Sequence, residues 1–401
     1  MTAVSQPTAA VAARKAAIDQ TGWGRPVSLW QPRNACTWVY LIGVSYGVWT
    51  LIGLLNQRIR LYAPALTVSA VVFACYAVLF WWFTARIDRY SRQPLVLVVA
   101  AFVWGGFAAT WGIALSGNGA LLDLYGKLFG PTFQQNWGAG LAAPIFEEFG
   151  KAAGILLLMF IAPRVVRTAY DGFILGAFCG LGFEIIEDIY YGLNAGAEEF
   201  GSQQVSTALH VVVLRLLTGF TSHILYSAIA GAGVVYLVGT VAQRRRIGLG
   251  IGLVATAMIL HGVWDANSGL SGGNGGLMIA LLIIEIIVAF VIVIAVFHLT
   301  VKPEREAMRA VMRPEADSGV ITAEELDALS GGWKQRRAYR KAAMGRANRR
   351  ARRHRLEAAH DLADQLGAAA GTDSEQVLFA RAELQRLPFG VPSGTTPTGH
   401  S

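Results

Sequence analysis

Apolar stretches of about twenty residues succeed one another along the chain, at roughly 37–55, 62–83, 94–115, 137–161, 170–193, 210–241, 247–267 and 277–299. A helix of about twenty residues rises about 30 Å, the thickness of a bilayer's hydrocarbon core, so each stretch predicts a membrane-spanning helix. The sixth is long, which suits a tilted helix or one that begins outside the bilayer. The breaks carry turn chemistry: Arg86-Ile87-Asp88, Ser116-Gly-Asn-Gly, Ala162-Pro-Arg and Ser271-Gly-Gly-Asn-Gly-Gly. The expected fold is all-α, a polytopic membrane helix bundle of about eight transmembrane helices.

Beyond Lys302 the pattern becomes that of a soluble segment. Thr322-Ala-Glu-Glu325 and Thr372-Asp-Ser-Glu375 read as capping boxes and predict two helices, at 322–366 and 373–387, before an unstructured end at Pro388–Ser401. The expected organisation is therefore an N-terminal segment at 1–36, a membrane domain at 37–300 and a basic helical tail at 301–401. With 54% hydrophobic and 15% charged residues, the chain is too apolar for a soluble protein of its length. Its 45 glycines suit close helix packing in lipid. Cys36, Cys75 and Cys179 all fall in apolar stretches and are expected as buried structural thiols, not disulfides. The first thirty residues lack the apolar core and small-residue site of a cleavable signal peptide.

The net charge of +8 is uneven, with a large block in Trp333–Arg355, which contains no acidic residue. Such a block reads first as a solvated cytoplasmic face, then as a contact for anionic lipid headgroups, and nucleic acid is not expected. Arg14, Lys15, Arg25 and Arg33 precede the first stretch and place the N-terminus in the cytoplasm. Alternate loops then hold Arg86/Arg89/Arg92, Arg164/Arg167 and Arg244/Arg245/Arg246, and an even number of spans returns the basic tail to the same side of an inner membrane.

Ionisable residues interrupt four consecutive stretches, where each costs about 2.5–3.5 kcal/mol at the bilayer centre. Glu147, Glu148 and Lys151 lie in the fourth. Glu147 and Lys151 are one turn apart and can pair, which leaves Glu148 to face a cavity. Adjacent carboxylates raise each other's proton affinity and so suit general acid–base work. The fifth stretch carries Glu184 and Glu187 on one face behind a Gly172, Gly176, Gly180 stripe, and Glu184 has the headgroup region as its simplest surroundings. His223 lies in the sixth, and His261 and Asp265, one turn apart, lie in the seventh, where Asp can orient the imidazole or help hold a metal. Simpler roles suffice for Arg215, expected to snorkel or pair, for Glu285, expected to pack, and for Asp171, expected as an N-terminal cap.

Glu147-Glu148-x-x-Lys151, Phe183-x-x-x-Glu187, His223 and His261-x-x-x-Asp265, in that order, resemble the PrsW-type intramembrane proteases, which are related to the CAAX-prenyl-protease-like membrane proteins. The resemblance covers 137–267 and makes that segment the expected catalytic core. It implies hydrolysis of a peptide bond in a membrane-anchored protein near the outer membrane face, with an anti-sigma factor of stress signalling as the best-known substrate class. Its paired glutamates correspond to Glu147 and Glu148, its histidine to His223 and its last motif to His261 and Asp265. Asp188 stands where the family often has Asn, and Glu184 adds a carboxylate. Glu148 or Glu147 would activate water, with His223 and His261 either stabilising the oxyanion or, with Glu187, binding zinc. The chain has no H-E-x-x-H, so the glutamic and the metalloprotease mechanisms both stand. The rival expectation is a non-catalytic scaffold, like one subunit of gamma-secretase, or a transporter with a buried polar core.

Overall fold

A computed structural model describes residues 9–56, 58–219 and 222–387, and the expected unstructured end at 388–401 lies outside the described residues. Among the described residues every regular element is helical. In chain order these are α1 (Ala9–Thr21), α2 (Ala35–Leu55), α3 (Ala63–Ile87), α4 (Leu95–Phe129), α5 (Ala139–Ile161), α6 (Ala169–Ala195) and α7 (Gln204–Thr218). They continue as α8 (His223–Val238), α9 (Ile247–Asp265), α10 (Gly275–Asp317), α11 (Ala323–Ser330), α12 (Trp333–Lys341), α13 (Gly345–Ala368) and α14 (Glu375–Arg386), with a few shorter turns between. Two compact units divide the chain. One is Val27–Asp88 with Gln93–Thr300, and the other draws on Met1–Pro26, Arg89–Arg92 and Val301–Ser401.

The first unit is a membrane helix bundle. Five described helices, α2, α3, α4, α9 and α10, are long and apolar enough to cross a bilayer, and the bent pair α7 and α8 makes a sixth span if taken as one. The two remaining apolar stretches form α5 and α6, which carry the charged residues Glu147, Glu148 and Lys151, and Asp171, Glu184, Glu187 and Asp188. Local signals start these helices. Asn34 caps α2 by accepting from the Cys36 amide, Pro64 opens α3, and Gly272 and Gly273 take positive φ in the turn before α10. At α6 the cap is Thr168, with Asp171 as the reciprocal partner three residues on, so Asp171 completes the capping box and is not itself the cap.

Three expectations change here. Ser116-Gly-Asn-Gly is not a turn: α4 runs through it to Phe129, because Gly117 lies against the Phe146 ring and any side chain there would clash. The sixth stretch is not one helix, since α7 ends at Thr218 and α8 begins at His223. Cys179 is buried as expected, whereas Cys75 is exposed on its helix, and all three thiols are free.

The glycine stripe does what its spacing predicted. A Cβ on Gly176 would sit 2.1 Å from the Ser227 carbonyl oxygen, and one on Gly180 would sit 2.1 Å from that of His223. Helices α6 and α8 thus meet backbone to backbone, which is how helices associate where lipid supplies no hydrophobic drive. Gly140 and Gly262 let α5 and α9 approach in the same way.

The second unit buries a carboxylate as well as apolar side chains such as Met312, Leu329, Leu362 and Leu366. Glu325 accepts from Arg355 Nε at 2.6 Å, from the Tyr339 hydroxyl at 2.8 Å and from the Thr322 amide at 2.8 Å, the last closing the predicted capping box. Arg14 of α1 donates to the Val311 carbonyl and to Glu315, which also receives Arg381. The predicted helix 322–366 is three helices, broken at Gly331–Gly332 and at Gly345, where φ is +79°. The last helix is capped by Ser374, not by Thr372.

Burial pushes the Glu325 carboxyl up, but hydrogen bonds from Arg355, Thr322 and Tyr339 outweigh it and hold the group below its ordinary value of 4.5. A carboxylate held low stabilises the fold above its ordinary value, and that contribution disappears as pH falls through the folded-state value. Hydrogen exchange of residues 323–330 in the intact protein, corrected for intrinsic rates, should therefore lose protection below the ordinary carboxylate range. In Glu325→Gln the protection should be weaker at neutral pH and less dependent on acid.

Candidate active site

Four helices of the membrane bundle bring their ionisable residues to one place. α5 supplies Glu147, Glu148 and Lys151, α6 supplies Glu187, α8 supplies His223 at its first residue, and α9 supplies His261 and Asp265. The close approach at Gly140 and Gly262 sets His261 beside the glutamate pair, and the one at Gly180 sets His223 beside α6.

Lys151 organises the centre. Its Nζ lies 2.7 Å from Glu148 Oε1, 2.9 Å from His223 Nδ1 and 3.8 Å from Glu147 Oε2, and it stands 4.2 Å from the centre of the Phe183 ring. An ammonium group only donates, so His223 Nδ1 accepts from it and the proton on Nε2 is donated to Glu187 Oε2 at 3.1 Å. His261 Nδ1 lies 2.9 Å from Glu148 Oε1, while its Nε2 faces Glu147 Oε2 at 3.6 Å and Asp265 Oδ2 at 3.4 Å.

The two glutamates thus exchange the expected roles. Glu148 is completely buried and is the one held by Lys151, because the i,i+3 geometry closes the shorter contact. Glu147 faces the cavity. Its Oε1 accepts from Asn118 Nδ2 at 2.9 Å, and its Oε2, although buried, has no hydrogen-bond partner among the described residues. The cavity is ≈ 350 Å³ and is also lined by Glu187, Arg215, His223, His261 and Asp265.

The other acids lie apart from this centre. Glu184 does not face outward as a headgroup contact would: it is buried and accepts from the Tyr76 hydroxyl at 2.6 Å and the Ser222 hydroxyl at 3.0 Å. Arg215 pairs, as one expectation had it, with Asp188 at 2.5 Å and Glu187 at 3.0 Å. Glu285 accepts from the Tyr226 hydroxyl at 3.2 Å, and the Tyr226 ring stacks on His261 with centres 5.6 Å apart. Sequence reasoning missed Asn118, Tyr226 and Tyr76. Tyr226 lies three residues after His223, one helical turn, and that spacing was its only signal. Asn118 was hidden in a string of turn-forming residues.

The side chains of this centre meet one another at a shared cavity and are not each neutralised by a separate local partner. A family model described as PrsW family intramembrane metalloprotease matches residues 93–297, just over half of the chain. The chain belongs to the PrsW family. A Protease PrsW of Clostridioides difficile (strain 630) is 26% identical over 189 residues, which cover 46% of this chain and 72% of that protein. No solved structure matches the chain. PrsW membership makes the protein an intramembrane peptidase and an integral membrane protein. The matched segment contains α5, α6, α8 and α9, the helices that build the cavity's ionisable lining.

Removing one partner of a buried ion pair costs about 3–5 kcal/mol, because the other charge stays buried. Lys151→Met, which strands Glu148, should lower stability by about that amount. Asp265→Asn, at a partly exposed position, should change it by about 0.5 kcal/mol or less, as ordinary exposed sites do. Thermal unfolding of the two purified variants in one detergent checks the contrast.

Proposed function

We propose that this PrsW-family protein hydrolyses a peptide bond of a membrane-anchored protein near the outer membrane face, with Glu147 at the centre of the chemistry. The substrate class that the resemblance implies is an anti-sigma factor. The observation that carries the reading is the buried Glu147 Oε2, without a hydrogen-bond partner among the described residues, between two imidazoles in a cavity that admits water. A carboxylate so placed accepts a proton from an attacking water. Asn118 holds its other oxygen and fixes the carboxylate's orientation. His261, oriented through Nδ1 by Glu148, presents Nε2 to the cavity, where a protonated ring donates to the oxyanion.

The same residues fit a divalent metal. Donor atoms of Glu147, His223 and His261 lie within 4.8 Å of one another, and these are the residues that would hold it, rather than Glu187, which Arg215 engages. Two histidines and a carboxylate suit zinc, which when bound would polarise the substrate carbonyl as a Lewis acid. His223 would have to give up Lys151 or Glu187. A hydrogen bond of about 1–3 kcal/mol is small beside structural zinc affinities of about 10–16 kcal/mol. With Glu147 so engaged, the proton would go to another carboxylate on the same cavity, Glu187 or Asp265.

We also place both termini in the cytoplasm and count α5 and α6 among eight spans, on the basic residues of alternate loops. The groove between α12 and α13, lined by Arg337, Arg340, Lys341, Arg349, Arg350 and Arg353, is read as a contact for anionic headgroups. The exposed Trp333 and Met344 on the same two-helix segment suit the interfacial layer.

Three measurements test these readings. Terminal-peptide mass spectrometry of membranes from cells carrying the intact chain or Glu147→Gln should show cleavage of a membrane-anchored protein that falls about 10²–10⁴-fold in the variant, the usual worth of a general base. Undiminished cleavage would overturn the reading. Loss of activity to 1,10-phenanthroline with recovery on adding zinc assigns Glu147 as a ligand and predicts that Glu187→Gln or Asp265→Asn is inactive, whereas indifference to the chelator assigns Glu147 as the base. In nanodiscs, hydrogen exchange at 333–355 should slow when phosphatidylglycerol replaces phosphatidylcholine, and the difference should vanish near 1 M salt, where screening length falls to about 3 Å.

A further inference from the structure

α4 carries no residue of the recognised motifs, yet it forms a wall of the cavity through Thr110, Trp111, Ala114, Asn118 and Leu122. Two buried polar atoms on that wall have no hydrogen-bond partner among the described residues: the indole nitrogen of Trp111 and the amide oxygen of Asn118. Trp111 is 3% exposed. Its ring meets that of Tyr190 edge-on, with centres 4.8 Å apart, so its N–H direction is held by packing. Asn118 spends Nδ2 on Glu147 Oε1, which assigns its remaining face as the acceptor.

The backbone around Trp111 is built for this. Trp104–Ala114 is wound as a π-helix, a geometry that recurs at functional sites, and the Thr110 hydroxyl donates to the Gly105 carbonyl five residues back. Gly105 and Gly182 let this segment press onto α6, since a Cβ on Gly105 would come 1.9 Å from the Cys179 carbonyl oxygen. Buried donors and acceptors are nearly always satisfied, so a donor and an acceptor left open beside Glu147 call for a ligand.

That ligand must offer a carbonyl to Trp111 and an N–H to Asn118, which is the pairing every residue of a peptide backbone carries. A helical substrate has already spent those groups on itself, and a strand or unwound segment has not. A lipid phosphate fits poorly beside Glu147, Glu187 and Asp265 on the same cavity. We propose that Trp111 Nε1–H donates to a backbone carbonyl, and Asn118 Oδ1 accepts from a backbone N–H, of an unwound substrate segment lying across Glu147. This rests on the peptidase reading above.

The test uses a labelled membrane-anchored reporter carrying the segment whose cleavage the mass spectrometry identifies, with the full-length protein in nanodiscs. Trp111→Phe keeps an aromatic ring against Tyr190 and loses the N–H. Its KM, and its Kd in the Glu147→Gln background, should rise about 3- to 10-fold, the worth of one neutral hydrogen bond, with kcat within about twofold. An amide-to-ester change at one reporter position should weaken binding to the parent and not to Trp111→Phe, a coupling that a packing role does not produce. If Trp111→Phe fails to fold, β-(3-benzothienyl)alanine at 111 keeps the bicycle without the N–H. Unchanged KM and Kd, or a loss confined to kcat, would overturn the assignment while leaving the peptidase reading intact. If Glu147→Gln still cuts, that reading falls, and the Kd comparison still decides Trp111.

Discussion

Lys151 Nζ stands 2.7 Å from Glu148 Oε1 and 2.9 Å from His223 Nδ1, and burial of all three groups makes the contact costly to lose. A lone charge in that position would cost several kilocalories, and each partner lowers the cost only where its geometry is good. The ammonium group also decides which nitrogen of His223 carries a proton, and Glu148 orients His261 through Nδ1. One buried cation therefore fixes the orientation of two imidazoles. Glu147 lines the cavity, and its Oε2, like that of Glu148, has no hydrogen-bond partner among the described residues.

The helices meet closely enough for this because their contact faces lack side chains. Gly176 and Gly180 of α6 lie on the backbone of α8, and Gly140 of α5 lies on Gly262 of α9. The residue next to Gly262 is His261, and the carbonyl against Gly180 belongs to His223, so the packing contacts and the polar centre share positions. A shift of either helix pair would move a histidine away from its carboxylate. The other acids are held in a related way: Arg215 pairs with Glu187 and Asp188, and Tyr76 and Ser222 donate to Glu184. Among the described residues, Glu147 is the cavity-lining residue with a buried carboxylate oxygen that has no hydrogen-bond partner.

Much of this was legible in the residues themselves. Apolar runs of bilayer length gave in outline the helices that are long and apolar enough to cross a membrane, because hydropathy and the need to satisfy backbone groups inside lipid leave few alternatives. Charged residues within those runs marked Glu147, Glu148, Glu187, His223 and His261, because an ionisable group in lipid needs a reason. Capping chemistry placed the start of α11, since Thr322 and Glu325 act within one turn. Where neighbouring signals competed, local reading failed: Ser116-Gly-Asn-Gly looks like a turn until Phe146 is seen to require Gly117.

The sequence by itself determined that the chain is a helical membrane protein, that its polar residues cluster on four helices, and which residue types are available for hydrolysis. These follow from short-range rules of length, periodicity and the cost of charge in lipid. Only the tertiary structure decided that Glu148 takes the lysine and Glu147 the cavity, that Glu184 is satisfied by Tyr76 of another helix, and that Trp111 and Asn118 line the pocket. Those outcomes depend on how helices rotate against one another to within an ångström or so. No spacing along one strand of sequence encodes that rotation, because it is set by the side chains of the partner helix.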